Sequence, residues 1–141
     1  MNTHLYAENV NYWQTSRTGP DTWLEKAKQE IKRSGGVVVG SATVSDDRTG
    51  QAGFMLAFEI GPDRFKLTWP VLRPKQGSLF AARIQAATAL YHEVKAACVK
   101  AKFLGTRSAF LTYLLLPDGQ TALEASDAML SESLPQMLLL K

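Results

Sequence analysis

Nine basic side chains stand between positions 64 and 107: Arg64, Lys66, Arg73, Lys75, Arg83, Lys95, Lys100, Lys102 and Arg107. Glu93 is the one acid among them, so this stretch carries a net +8 while the whole chain carries +3. The remainder is therefore acidic, at −5. An asymmetry of this kind bears on partners and solubility rather than on fold. Lysine and arginine at this density favour an anionic partner. Phosphate contacts of this type dominate affinity for nucleic acid and weaken as salt rises. Arg64 and Lys66 alternate with Phe65 and Leu67, which places them on the solvent side of a strand. Arg73 and Lys75 belong to the loop Leu72-Arg73-Pro74-Lys75-Gln76-Gly77, which enters a long helix. Free N–H groups at a helix start attract anions, and neighbouring cations add to that field. Arg64, Lys66, Arg73, Lys75 and Arg83 are thus the inner candidates for phosphate contact. Lys95, Lys100, Lys102 and Arg107 are the outer ones.

Other chemistries find little to work with. The histidines are His4 and His92. A metal site needs three or four clustered ligands, and the neighbours His92 and Glu93 point about 100° apart on a helix. No nucleophile elbow and no glycine-rich phosphate signature occurs. Pro62-Asp63 followed by Glu93-Val94-Lys95 spells a loose metal-dependent nuclease pattern, but that chemistry usually sets the later pair on a strand, and here it sits inside a periodic helix. Cys98, the single cysteine, permits no internal disulfide and reads as a small buried hydrophobe. Catalysis and a cofactor are therefore not expected. Among the aromatics that could stack on a base, Trp69 is in register with core residues, whereas Tyr12 and Trp13 precede the first helix in a polar stretch.

The elements that must position these residues are legible from periodicity. Gly19-Pro20-Asp21 is a turn signal, and Thr22 with Glu25 fits a capping box opening a helix to Arg33. Trp23, Leu24, Ala27 and Ile31 fall on its apolar side, and Ser34-Gly35-Gly36 ends it. Three strands follow, Val37 to Val44, Gly53 to Ile60 and Arg64 to Val71, joined by the loop Ser45 to Gly50 and the tight turn Gly61-Pro62-Asp63. The period of two in Phe54, Leu56, Phe58 and Ile60, and again in Phe65, Leu67, Trp69 and Val71, marks sheets with one buried face. Short connections predict an antiparallel meander. Pro70 cannot donate to a ladder, so the third strand ends there or lies at an edge. Ser78 caps a helix running to Leu104 before Gly105, with Phe80, Ile84, Ala87, Tyr91, Val94, Cys98 and Ala101 as its buried stripe and Ala82, Ala86, Ala89 and Ala96 opposite. Thr106 to Leu116 predicts a short helix. Pro117-Asp118-Gly119 is a turn, and Thr121 with Glu124 is a second capping box opening a helix to Leu130. The expected class is α+β: a three-stranded antiparallel meander with a long helix on one face, in the order α-β-β-β-α plus short C-terminal helices.

The 141 residues suit one domain over 1–120 and a helical tail over 121–141, which reads either as a docking peptide, acidic with Leu130, Leu134, Met137 and Leu138, or as a helix packed on the domain or on a second copy. A hydrophobic fraction of 45% against 21% charged residues is globular. Apolar runs such as Tyr113 to Leu116 and Met137 to Leu140 fall short of the roughly 20 residues of a membrane helix. Residues 1–7 lack the pattern of a signal peptide, so a cytoplasmic location is expected.

The order helix, meander, basic helix is shared by double-stranded-RNA-binding domains, but those carry a lysine pair where this chain has Phe80-Ala81-Ala82-Arg83. Over residues 21–105 the chain more closely resembles the core of single-strand annealing recombination proteins. The likeness lies in Ala81-Ala82-Arg83-Ile84-Gln85-Ala86-Ala87, Val94-Lys95-Ala96 and Lys102-Phe103-Leu104-Gly105. It implies a ring-like homo-oligomer that holds single-stranded nucleic acid in a basic groove. The expected function is a non-catalytic module for single-stranded DNA or RNA. The alternative is a protein-interaction or scaffold subunit that associates through Leu111 to Leu116 and the tail.

Overall fold

The computed structural model describes residues 5–46 and 48–133. The order of elements is α1 (Pro20–Arg33), β1 (Val37–Asp46), β2 (Gln51–Ile60), β3 (Asp63–Val71), α2 (Leu79–Leu104), α3 (Thr106–Ala109) and α4 (Ala122–Ser133). The strands form one antiparallel sheet in the order β1-β2-β3, and the helices cover one face of it. The expected meander and long helix are present. The strands run further than their alternation suggested, which shortens the first hairpin loop. His4 and the tail residues Leu134, Met137 and Leu138 lie outside the described residues, as does the side chain of Leu130.

Local chemistry explains the element ends, with one correction. α1 starts two residues before the expected site, at Pro20, because the fixed φ of proline and its missing N–H suit the first helical position. The Thr22–Glu25 box does not form; Glu25 instead pairs with Lys28 at 2.9 Å. The stop at Gly35 is as expected, with φ of 85° and the Gly36 N–H closing on Ile31 O at 2.9 Å. Ser78 caps α2 by accepting from Ala81 N at 3.0 Å. Thr121 and Glu124 exchange the two hydrogen bonds of a capping box, at 2.9 and 3.2 Å.

The core consists of Phe54, Leu56, Phe58, Ile60, Phe65, Leu67 and Val71 from the sheet, with Ala27 and Ile31 of α1. The buried side of α2 is broader than the expected stripe and rotated from it. Ala82, Ala86, Leu90, Val94 and Ala97 are buried, whereas Phe80 is 58% exposed. The alanines assigned to the outer side, Ala82 and Ala86, are the ones that let α2 close down on its neighbours. Helix α1 takes up a second side of α2, where Cys98 Sγ donates to Glu30 O at 3.6 Å. A helix packed by two partners has no single stripe.

The stretch Thr106 to Leu116 also departs from expectation. It makes the four-residue α3 and a 3-10 turn at Leu111–Tyr113, then runs extended along the outer edge of β3. Leu115 N donates to Arg64 O at 2.8 Å, and Leu114 bridges Phe65. Phe110 is fully buried against Phe58 and Phe65, with ring centroids 5.3 and 5.6 Å away, whereas Leu111 remains 51% exposed.

Candidate nucleic-acid interface

The register of the sheet defines an open face. Phe54, Leu56, Phe58, Phe65 and Leu67 point to the helices, so Val37, Ala42, Val44, Met55, Ala57, Glu59, Arg64, Lys66, Thr68 and Pro70 point away. This face is apolar at the centre and basic along β3. It carries no aromatic ring, so bases have no stacking platform there.

The nine bases do not meet in one place. Arg64 is exposed and pairs with Glu59 across the ladder at 2.8 Å. Lys66 lies beyond it on the same face, close enough to α4 that its charge helps lower the Glu124 pKa, after the hydrogen bonds from Thr121. Arg73 turns to the β1–β2 hairpin and donates to Thr49 O at 3.2 Å. Lys75 sits in the next loop, its ammonium 5.8 Å from the Tyr6 ring. Arg83 shares the side of α2 that carries Ala87, Leu90 and Val94; it is half-buried, and its Nε is covered without a partner among the described residues. About 26 Å further along the helix stand Lys100 and Lys102, at 1.5 Å per residue. Lys95 and Lys102 share one side of α2, and Lys100 occupies another. Arg107 in α3 is clamped by two hydrogen bonds to Asp63, at 3.1 and 2.8 Å, which hold the Asp63 carboxyl below its ordinary value. Among the described residues, only Arg64 and Arg107 of the nine hold a carboxylate within ion-pair distance.

In the loop just ahead of α2, three backbone N–H groups are occupied by a carboxylate, while at the helix start Ser78 caps Ala81 N. Glu8, in the segment ahead of α1, accepts from Lys75, Gln76 and Gly77 N–H at 2.7, 2.8 and 2.8 Å. These bonds, that from Gln76 foremost, pull its pKa down to about 2. Ala7 N donates to Arg73 O at 3.0 Å beside it, and the Trp13 ring lies over Gly77. Residues 6–15 thus form a strap across the entry to α2. Gln85, only 3% exposed, secures it: Nε2 donates to the carbonyls of Ala7, Val10 and Asn11 at 2.7, 3.1 and 3.1 Å. Tyr12 stacks on His92 with centroids 5.1 Å apart.

Two depressions meet at the free end of β3. A groove of about 590 Å³ is bordered by Val44, Gly50, Gly53, Thr68 and Arg73. A slot of about 390 Å³ lies under the strap between Tyr12, Trp69, Gln85, Ala86 and Ala89. Trp69, Pro70 and Leu72 border both, so the two share a wall.

The remaining chemical candidates are engaged elsewhere. Glu93 accepts from the Tyr113 hydroxyl at 2.6 Å, and burial with this bond raises the Tyr113 pKa. Asp63 serves Arg107, so the loose nuclease pattern is split between two unrelated partners. Burial pushes the Cys98 thiol up. No group of three or more His, Cys, Asp or Glu side chains suited to a metal ion occurs among the described residues. No helix among them is long and apolar enough to cross a membrane. Sequence reasoning missed Glu8 and Gln85. Glu8 stands 67 residues from its first partner, a separation that leaves no local signature.

The fold and site define an α+β domain with a basic strand edge and an apolar slot beside it. Comparison of the chain with protein-family models, with curated proteins and with solved structures returns no match in any of the three.

Proposed function

We propose that the protein is a non-catalytic nucleic-acid-binding module that takes single-stranded DNA or RNA along β3 and the loop beyond it. The observation that carries this reading is a run of exposed cations, Lys66, Arg73 and Lys75, beside the groove at the end of the sheet, none of which is ion-paired among the described residues. Unpaired cations release counterions on meeting phosphates, and they do so without reading sequence. Arg64 stands on the same strand as Lys66 but shares its charge with Glu59, and Lys100 lies far along α2. Arg107, bound to Asp63, and Arg83, half-buried, contribute less than their charges suggest.

Fluorescence anisotropy with a labelled oligonucleotide and its duplex, at low and moderate salt, tests the reading. The expected result is salt-sensitive binding that prefers the single strand. The triple variant Lys66→Glu, Arg73→Glu, Lys75→Glu should bind far more weakly. For three lost contacts its salt slope should fall by about 2, at roughly 0.7 per phosphate on single strands. Unchanged binding in a variant that retains its circular dichroism spectrum sinks the assignment.

A second reading has its own observation. Phe103, Leu104 and Val99, at the end of α2, are 82%, 61% and 48% exposed. An apolar cluster of this kind fits a protein-interaction or self-association surface. Absence of strand binding at low salt, with a concentration-dependent mass abolished by Phe103→Glu, favours that reading instead.

A further inference from the structure

The slot under the strap has features that surface charge does not explain. Its walls are Val10, Tyr12, Trp69, Pro70, Leu72 and the alanines of α2, and none of its lining residues bears a charge. Its volume is at the small end of the roughly 300–1,000 Å³ typical of ligand pockets. Gln85 forms part of its wall and is buried, with Oε1 unpartnered among the described residues. The amide cannot be reversed to relieve this. Three carbonyls surround Nε2, and reversal would set an oxygen against all three. A buried acceptor without a donor is costly and calls for explanation. Above it, Tyr12 and Gln14 have φ of 72° and 54°, a region that residues with side chains seldom occupy. Strain of this sort gathers at ligand clamps and switch segments.

We propose that this slot receives one unpaired nucleobase of the bound strand, with the ring between Tyr12 and Trp69 and a ring or amino N–H donated to Gln85 Oε1. The inference rests on the single-strand reading and deepens it. A flat heteroaromatic ring satisfies an uncharged aromatic slot, and its N–H supplies the donor that Oε1 lacks. The shared wall of Trp69, Pro70 and Leu72 lets the sugar-phosphate chain continue into the groove beside Arg73 while the base turns inward. Base pairing in a duplex hides that N–H, so the slot also gives a reason for single-strand preference. Oε1 is covered in this structure, so the strap lifts to admit the ring. The left-handed Tyr12 and Gln14 are where the lifted chain sheds strain.

The test uses the full chain and three strands of equal length: oligo-dT, the same chain built from N3-methylthymine, and an abasic strand. All three carry the same phosphates. Oligo-dT is expected to bind roughly 5- to 150-fold more tightly than the abasic strand, the range for one stacked base. The N3-methyl strand should lose much of that gain. Ala89→Phe, which fills the slot, should erase the preference while leaving the salt slope unchanged. Equal affinity for oligo-dT and the abasic strand overturns the slot while leaving the electrostatic reading intact. Equal affinity for oligo-dT and its methylated form overturns the role of Gln85. Failure to bind any strand at low salt overturns both readings.

Discussion

At the scale of the residue, Glu8 does for the loop before α2 what a bound phosphate would do elsewhere: it satisfies three successive N–H groups. The carboxylate leaves these three N–H groups no room for another anion. The low pKa makes the contact pH-dependent. Because the folded value, about 2, lies below the ordinary 4.5, the stabilisation is fully present above pH 4.5 and is lost as pH falls through that interval. Glu8→Gln should lower the melting temperature at neutral pH, and the gap from the parent chain should close between pH 4.5 and about 2. Melting followed by Trp fluorescence at a series of pH values checks this, and a gap that stays constant with pH counts against the nest. Trp13, which lies over Gly77, should report the loosened strap by a red-shifted emission.

At the scale of the element, the close joint between α1 and the sheet depends on a residue without a side chain. A Cβ on Gly36 would meet Ile31 Cγ2 at 2.7 Å, Ile60 Cγ1 at 2.8 Å and Glu59 O at 3.1 Å. The two isoleucines are core side chains, so they cannot swing aside into solvent. Gly36→Ala should cost about 1–3 kcal/mol, the range for overpacking. Urea unfolding should show a lower midpoint at unchanged slope. The helix ends around this joint follow local rules that a sequence displays: Pro20 at a first position, glycine at the stop of α1, Ser78 and the Thr121–Glu124 pair as caps. The buried side of α2 does not, because α1, the sheet and the strap each claim part of its circumference. An expectation built on one stripe therefore placed Phe80 inside and Ala82 and Ala86 outside, and the packing reverses all three.

At the scale of the whole molecule, the Phe58, Phe65 and Phe110 rings tie the chain beyond α2 to the centre of the sheet. Phe110→Ala should cost about 3–5 kcal/mol, as for other buried phenylalanines. It should also free the Leu114–Leu115 segment from β3, exposing that edge. Hydrogen exchange at Leu115 N–H, which bonds to Arg64 O, reads the second effect directly, and continued protection there would show that the edge holds without the ring. Much of this architecture was written in the chain. Alternation in β2 and β3, the turn at Gly61-Pro62 and the cap-to-glycine span of α2 follow from dihedral preferences and side-chain period, which act over a few residues. So does the charge of the 64–107 stretch, which is a sum and needs no coordinates. Tertiary structure alone decided where those charges lie, that Arg107 is bound to Asp63 and Arg83 is half-buried, and that Glu8 fills the nest before α2. It also made the slot, which joins Tyr12, Trp69 and Gln85 from three distant parts of the chain. Contacts between residues dozens of positions apart depend on how elements pack, and no local preference encodes them.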